Sequence, residues 1–263
     1  MKAGPIGIFD SGVGGLTVWK EVTALLPWED TVYLADSAHA PYGEKPPEAI
    51  LQRSLVCTRK LMDFGAKMVI VACNTATTNA IAELRRQFPI PFIGIEPAIK
   101  PAALQSASGT IGVLATRGTL ASELFARTSR SYGAQIRILE QEGEDLVARI
   151  EAGTLEQPEL GEKLRAMLQP MVDQGMDHLV LGCTHYPFLT PILQTVLPPQ
   201  VRIVDCGLPV ARQALAVLER EDLLGPREET GEHRFWTNAD PVLLDRMRAR
   251  LGGPPGTVAA LDF

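Results

Sequence analysis

Short apolar runs recur along the chain, and stretches with helical periodicity separate them. Each run spans three to five residues rich in Ile, Val and Leu, and turn residues bound it. Continuous apolar runs of this length, alternating with amphipathic stretches, are typical of buried parallel strands in βαβ units. The pattern predicts strands at residues 6–9, 32–35, 68–72, 92–95, 111–115, 136–139, 179–182 and 202–204. The predicted fold class is therefore α/β with parallel sheets.

Two of the stretches between these runs carry a clear helical pattern. Apolar residues recur at three- and four-residue spacing over residues 46–64 and over residues 75–88, which predicts two amphipathic helices. The second helix should end before Pro89, because a residue that precedes proline avoids the helical conformation.

The chain contains an internal repeat centred on two cysteines. Cys73 and Cys183 stand 110 residues apart, and each follows an apolar run and a small residue, with a glycine eight residues before it. Upstream, residues 4–11 resemble residues 109–116 at an offset of 105. Matching blocks at nearly the same offset indicate two similar α/β halves. We expect the halves to be related by pseudo-two-fold symmetry.

The last fifth of the chain lies outside this repeat. It predicts a helix over residues 210–218, a short strand at residues 234–236, and a final helix that Asp240 caps and Pro241 opens. We expect this tail to return to the first half as packing material. The predicted domains are therefore residues 1–97 with 208–263, and residues 98–207.

Composition and charge narrow the range of partners. The chain has 263 residues, 46% of them hydrophobic, and a formal net charge of -6. No run of five or more Lys and Arg appears, which disfavours nucleic acid and anionic lipid as partners. The apolar runs are far shorter than the roughly 18 residues of a membrane span, and the N-terminus does not resemble a signal peptide. We therefore expect a cytoplasmic protein.

The repeated cysteines are the strongest candidates for chemistry. The chain has four cysteines but no C-x-x-C pair that would indicate a zinc or redox site, and cytosolic thiols are normally reduced. An isolated cysteine is most often a small buried apolar residue. Ligands, however, bind beyond the carboxyl ends of parallel strands, where both Cys73 and Cys183 are predicted to stand. Across a cleft, the two thiols would reach one ligand from opposite sides.

A thiol needs help to act as a base at neutral pH, because its ordinary pKa is about 8.5. Asp10, Asp36 and His185 stand at or just beyond predicted strand ends, where they can tune the thiols. Each also has a plainer interpretation. The two carboxylates can be caps or turn residues, and the histidine can be a hydrogen-bonded core side chain.

Other polar segments at the same sheet edge are candidates for ligand binding. The loop at residues 10–17 follows a strand and opens a helix, so its backbone N–H groups can bind an anion. It lacks the features of a P-loop and of the dinucleotide fingerprint, which makes a carboxylate the favoured ligand. The turn at Tyr42 and Gly43 either contacts the same ligand or is a plain turn. The pairs after the cysteines either cap helices or hold the ligand: Asn74 with Thr75, and Thr184 with His185.

Five motifs together resemble the cofactor-independent glutamate racemases. They are DSGVGGLT at residues 10–17, PYG at 41–43, CNTA at 73–76, GVLAT at 112–116 and GCTHYP at 182–187. The resemblance extends from residue 4 to about residue 220. It implies two α/β domains with the active site between them, and Cys73 and Cys183 as the two bases. It also implies that Asp10 lies beside Cys73, and that His185 and Glu151 lie near Cys183.

The same resemblance implies a set of residues that hold the substrate glutamate. They are Asp10, Ser11, Tyr42, Gly43, Asn74, Thr75, Thr184 and His185. One departure is Cys206, where relatives more often have Ser, and we interpret it as a passive substitution.

Racemisation removes the α-proton from one face of an amino acid and returns a proton to the other, which calls for one thiolate and one thiol in mirrored positions. The resemblance therefore implies interconversion of L- and D-glutamate, which supplies D-glutamate for peptidoglycan synthesis. The resemblance implies no cofactor, no metal and glutamate as the small-molecule partner, and it is compatible with a homodimer.

Three alternatives remain open at this point. A relative of the same family can act on aspartate or another acidic amino acid, although His185 after Thr184 favours glutamate. A pyridoxal phosphate enzyme needs a Schiff-base lysine, and none of the seven lysines stands in a strand-end motif. A protein that binds an acidic amino acid without turning it over would carry much the same site.

Overall fold

A computed structural model describes residues 4–133, 136–226 and 229–263 of the chain. The chain divides into two compact units. Unit 1 comprises Met1–Ile95 and Gly207–Phe263, and unit 2 comprises Glu96–Cys206. Within the described ranges, no helix is both long and apolar enough to cross a membrane.

Strands and helices alternate along most of the chain. The strands are β1 Ile6–Asp10, β2 Thr31–Ala35, β3 Met68–Val71, β4 Phe92–Gly94, β5 Thr110–Ala115, β6 Arg137–Glu142, β7 His178–Gly182, β8 Arg202–Val204, β9 His233–Thr237 and β10 Thr257–Ala260. The α-helices are α1 Leu16–Leu25, α2 Pro47–Asp63, α3 Asn74–Gln87, α4 Ile99–Gln105, α5 Arg117–Leu120, α6 Glu123–Tyr132, α7 Leu146–Glu151, α8 Pro158–Asp173, α9 Thr190–Val196, α10 Gly207–Arg220 and α11 Pro241–Leu251. Short 3-10 turns occupy Ser37–His39, Tyr42–Glu44 and Tyr186–Leu189.

The sheet of unit 1 has six strands in the order β10-β9-β2-β1-β3-β4, and all of its pairs are parallel. Every residue of β1, β2 and β3 is buried. A central parallel strand is covered by helices on both faces, which explains why these strands are continuous apolar runs in the sequence. The predicted helices at 46–64 and 75–88 are α2 and α3, with ends that differ by one residue.

The tail contributes two hydrogen-bonded strands to this sheet, which is more than the packing that we expected of it. β9 pairs with β2, and β10 extends the sheet beyond β9. As predicted, the side chain of Asp240 caps α11, where it accepts a hydrogen bond from the Val242 N–H at 2.9 Å. β10 escaped prediction because its sequence, TVAA, has only one residue of the Ile, Val and Leu class.

The sheet of unit 2 has four parallel strands in the order β6-β5-β7-β8. This order repeats the order β2-β1-β3-β4 of unit 1, so the strands that precede Cys73 and Cys183 hold the same place in their sheets. The predicted class, α/β with two similar parallel-sheet halves, is confirmed. The edge strand β6 extends to Glu142, beyond the predicted 136–139, because an edge strand tolerates the polar residues that ended the apolar run.

Candidate active site

The two repeated cysteines are buried at equivalent positions. Cys73 directly precedes α3 and is 6% exposed, and Cys183 directly follows β7 and is 7% exposed. All four cysteines of the chain are free thiols. Each unit therefore carries one such cysteine beyond the carboxyl end of a central strand, which is β3 in unit 1 and β7 in unit 2.

The sulfur of Cys73 has polar neighbours on two sides. Its Sγ lies 3.7 Å from the Ser11 hydroxyl oxygen, and the backbone N–H of Ala76 donates a hydrogen bond to it at 3.5 Å. Cys73 is thus the N-cap of α3. An N–H donor and the positive end of a helix dipole both favour the thiolate form of a cysteine.

Ser11 links Cys73 to the buried carboxylate of Asp10. The Asp10 carboxylate accepts hydrogen bonds from the Gly12 N–H at 2.8 Å and from the Ser11 hydroxyl at 3.4 Å. The first bond makes Asp10 a turn residue, so its plainer interpretation also holds. Gly15 packs so closely that a Cβ there would lie 2.7 Å from the Cβ of Asp10, which accounts for the glycine at this position of the loop.

Asn74 carries a buried amide that bonds to nothing in the described part of the chain. The residue is 3% exposed, and neither its Nδ2 nor its Oδ1 has a hydrogen-bond partner there. Because Cys73 caps α3, the capping role that Asn74 could have had is already filled. A buried polar group without a partner is costly, and this amide is available to hydrogen-bond a polar ligand. Its neighbour Thr75 is buried as well.

Tyr42 and Gly43 lie in one 3-10 turn, with Tyr42 fully buried. The Tyr42 hydroxyl donates a hydrogen bond to the Asp36 carboxylate. Burial raises the pKa of this phenol far above its ordinary value, and the negative charge of the Asp36 carboxylate and its hydrogen bond to the phenol raise the pKa further. The hydroxyl therefore keeps its proton, and Tyr42 belongs to the same cluster of buried residues as Cys73.

Asp36 is placed differently from Asp10. Its carboxylate accepts hydrogen bonds from Tyr42, from Arg53 at 2.8 and 2.9 Å, and from Asn238 at 2.5 Å. Asp36 thus binds a set of donors, and it directly precedes the 3-10 turn Ser37–His39, which fits its plainer interpretation as a turn residue. Sequence reasoning missed Arg53 and Asn238, since nothing local in the sequence pairs a helix residue and a tail residue with Asp36.

In unit 2, the side chains of Cys183, His185 and Glu151 contact one another in series. Its Sγ lies 3.7 Å from Nδ1 of His185, and Nε2 of His185 lies 2.5 Å from Oε1 of Glu151. Glu151 is the last residue of α7. An imidazole held by a carboxylate on one side and facing a thiol on the other is an arrangement that activates cysteine nucleophiles and bases. Thr184, between Cys183 and His185 in the chain, is also buried.

Opposing effects act on the pKa of His185. Burial alone would lower it, but the hydrogen bonds to Cys183 and Glu151, with the negative charge on both, raise the pKa well above the ordinary histidine value. The imidazole therefore favours its protonated form, in which it stabilises a thiolate at Cys183.

The other two cysteines have raised pKa values. Burial raises the pKa of Cys57 and of Cys206, and the nearby carboxylates of Asp36 and Asp205, respectively, raise it further. Both groups remain neutral thiols at physiological pH.

The predicted site residues therefore fall into two groups, one in each unit. Unit 1 holds Asp10, Ser11, Tyr42, Gly43, Cys73, Asn74 and Thr75, and unit 2 holds Cys183, Thr184, His185 and Glu151. In each group one thiol lies 3.7 Å from a hydrogen-bonding side chain, which is Ser11 for Cys73 and His185 for Cys183. Such a pair suits proton transfer at a polar substrate.

Comparison with known proteins gives consistent matches. The family model for Asp/Glu/hydantoin racemases matches residues 17–214. A glutamate racemase of Stutzerimonas stutzeri is 47% identical over 257 residues, which cover 97% of this chain and 97% of the relative. A glutamate racemase of Pseudomonas aeruginosa is 44% identical over 262 residues, which cover 99% of this chain and 98% of the relative.

Solved structures point the same way. The glutamate racemase isoform RacE1 of Bacillus anthracis superposes with a TM-score of 0.90 at 29% identity, covering 100% of this chain and 99% of its own. Escherichia coli glutamate racemase, in complex with L-glutamate and the activator UDP-MurNAc-ala, gives 0.84 at 32% identity, covering 97% and 99%. An aspartate racemase homologue of Pyrococcus horikoshii gives 0.52 at 15% identity, a likeness of fold alone. These findings confirm the resemblance seen in the motifs: the chain belongs to the aspartate/glutamate/hydantoin racemase family, within its glutamate racemases.

Proposed function

We propose that this chain interconverts L- and D-glutamate with Cys73 and Cys183 as its two bases. The observation that carries the proposal is the duplicated thiol, which occupies the same place in two sheets of the same strand order. Inversion at Cα removes a proton from one face and returns a proton to the other, which two groups on opposite faces can do by exchanging the roles of acid and base. A duplicated half-site is a direct way to supply them.

The proposed reaction has two proton transfers. One cysteine, as the thiolate, takes the Cα proton, and the electron pair of the broken C–H bond is delocalised into the α-carboxylate of the substrate. The other cysteine, as the thiol, then gives its proton to the opposite face of Cα. The two cysteines have exchanged protonation states at the end, so the enzyme is ready for the reverse direction.

The two thiols are supported in different ways. For Cys73 the support is the Ala76 N–H and the chain through Ser11 to Asp10. For Cys183 it is the protonated imidazole of His185, which Glu151 holds in place. Asp10 and His185 thus serve the thiol of their own half.

We further propose that the polar residues around the thiols hold the glutamate. The unpartnered Asn74 amide supports this assignment in unit 1. Fixed hydrogen-bond donors at the α-carboxylate stabilise the charge that develops there, which a reaction without an electron-withdrawing cofactor requires. The remaining residues of the proposed binding set are Asp10, Ser11, Tyr42, Gly43, Thr75, Thr184 and His185.

The proposed biological setting is the supply of D-glutamate for peptidoglycan in the cytoplasm, by a chain that can form a homodimer. The bacterial glutamate racemases that this chain matches support the first part. Four free thiols support a reducing compartment.

Substrate choice provides the test of the proposed activity. Circular dichroism should show that the purified protein racemises L-glutamate, with a kcat/KM at least about a hundredfold higher than for L-aspartate, because a shorter side chain leaves buried polar groups unpaired. Comparable values for the two acids would favour a broader acidic amino acid racemase. Tight glutamate binding without loss of optical activity would instead indicate a binding protein.

A further inference from the structure

The tail of the chain reaches the proposed glutamate site through Asn238. Thr237, the last residue of β9, is in register with Ala35, the last residue of β2. The next residues, Asn238 and Asp36, are therefore neighbours at the carboxyl edge of the sheet. The Asn238 amide nitrogen donates to Oδ1 of Asp36 at 2.5 Å, and its oxygen accepts from the Ala38 N–H at 2.9 Å. Asn238 thus forms two hydrogen bonds with the loop after β2, one with Asp36 and one with Ala38.

Arg53 holds the same carboxylate through two hydrogen bonds. Its Nε donates to Oδ2 of Asp36 at 2.9 Å, and its Nη2 donates to Oδ1 at 2.8 Å. This two-pronged contact fixes the orientation of the carboxylate as well as its position. The same Nη2 donates to the main-chain oxygen of Phe263 at 2.8 Å. A second part of the tail therefore meets this network.

The network ends at Tyr42. The oxygen Oδ2 of Asp36 accepts both the Tyr42 hydroxyl and Nε of Arg53, and His39 lies 2.9 Å from Oδ1. With these donors around it, the Asp36 carboxylate is a fixed anchor for the phenol. Tyr42 in turn belongs to the same cluster of buried residues as Cys73.

We propose that Asn238 and Arg53 are positioning residues for glutamate, which act through Asp36 on Tyr42 and on the turn that Tyr42 shares with Gly43. This inference rests on the proposed function, in which that turn contacts the substrate. It also gives the tail, which lies outside the repeat, a role in the site. Asn238 of the tail holds the Asp36 carboxylate, and this carboxylate in turn fixes the position of Tyr42.

A second buried network in unit 1 provides a matched control. Nζ of Lys67 lies 2.5 Å from Oε2 of Glu29, and Oε1 of Glu29 accepts the Gly225 N–H at 2.6 Å. This pair also joins the tail to the sheet, but it lies at the amino ends of β2 and β3, opposite the edge that carries Asp36. Replacing both charges, with Glu29→Gln and Lys67→Met, should change the melting temperature and leave the KM for glutamate within about twofold.

The decisive experiment is a double-mutant cycle between Asn238→Ala and Tyr42→Phe. Asn238 lies partly exposed, so the variant should fold, which its melting curve will verify. We expect Asn238→Ala to raise the KM for glutamate about tenfold with little change in kcat, since a displaced binding contact acts on binding. In the Tyr42→Phe background the same substitution should change KM less than about twofold, because the hydroxyl through which it acts is gone.

Arg53 supplies an independent arm of the test. Arg53→Met should reproduce the rise in KM. Arg53→Lys should give a smaller rise, because lysine keeps the positive charge but cannot donate the two parallel hydrogen bonds of the guanidinium. An unchanged KM in Asn238→Ala and Arg53→Met would overturn the proposal, as would an equal rise with and without the Tyr42 hydroxyl. Failure of the proposed function looks different: the unaltered protein would not racemise glutamate, or would do so without Cys73 or Cys183.

Discussion

Replacing either Cys73 or Cys183 by Ala should lower kcat for glutamate racemisation by about a thousandfold or more. Each variant loses one of the two proton-transfer groups, and a positioned acid or base typically contributes about 10²- to 10⁴-fold. The fold should survive, because Ala fills most of the volume of a small buried side chain. Initial rates from L- and from D-glutamate, measured by circular dichroism, check the result in both directions.

Cys206→Ala is the matched control for these variants. Cys206 is as well buried as Cys183, lies in the same unit and remains a neutral thiol. It should keep kcat within a few fold. If the Cys73 or Cys183 variant also kept most of its activity, the assignment of the two bases would be wrong.

The second large effect concerns the histidine beside Cys183. His185→Asn should lower kcat about a hundredfold and change KM much less, since a protonated imidazole is needed most when the thiolate carries charge. Glu151→Gln should act in the same direction with a smaller effect, because it weakens the hold on the imidazole. His178→Asn is the control: His178 is a buried histidine of the same unit that pairs with Asp177 at the amino end of β7.

The pKa of His185 gives this prediction a second readout. The folded-state pKa of His185 is raised, so the contacts of its imidazolium with Glu151 and Cys183 stabilise the fold. This contribution is fully present below the ordinary histidine pKa of about 6.5, and it is lost as the pH rises through the folded-state pKa. An NMR titration should find the His185 pKa above the ordinary value, and lower in Glu151→Gln. An imidazole that titrates normally in both proteins, together with an unchanged kcat, would reduce His185 to a packing residue.

The sequence predicts the parts of the fold that local pattern controls. Buried parallel strands read as apolar runs, and the strand ends in turn locate Asp10, Cys73 and Cys183 at sheet edges. Two strands at sheet edges, β6 and β10, were less visible. β6 carries polar residues because it is at an edge, and β10 consists largely of small ones. An apolar run predicts a strand, and the polar or small residues that an edge position tolerates weaken that signal.

Interactions between distant parts of the chain were the least predictable. Glu151 became a candidate only through the resemblance to a known family, since no local pattern connects it with His185, 34 residues away. Asn238 bonds to Asp36 across 202 residues, and only the pairing of β9 with β2 brings the two together. That pairing depends on the tertiary fold of the tail, which periodicity does not encode.

Isotope incorporation in heavy water tests the two-base mechanism most directly. The enzyme is incubated with L-glutamate, and separately with D-glutamate, and both enantiomers are recovered at low conversion for mass spectrometry. If Cys73 and Cys183 act from opposite faces, the product enantiomer carries deuterium at Cα, because the donating thiol has exchanged with solvent. The recovered substrate keeps protium, because its own proton is held on a buried thiol. Deuterium in the recovered substrate, or protium carried across into the product, would indicate a single base and contradict the two-base account.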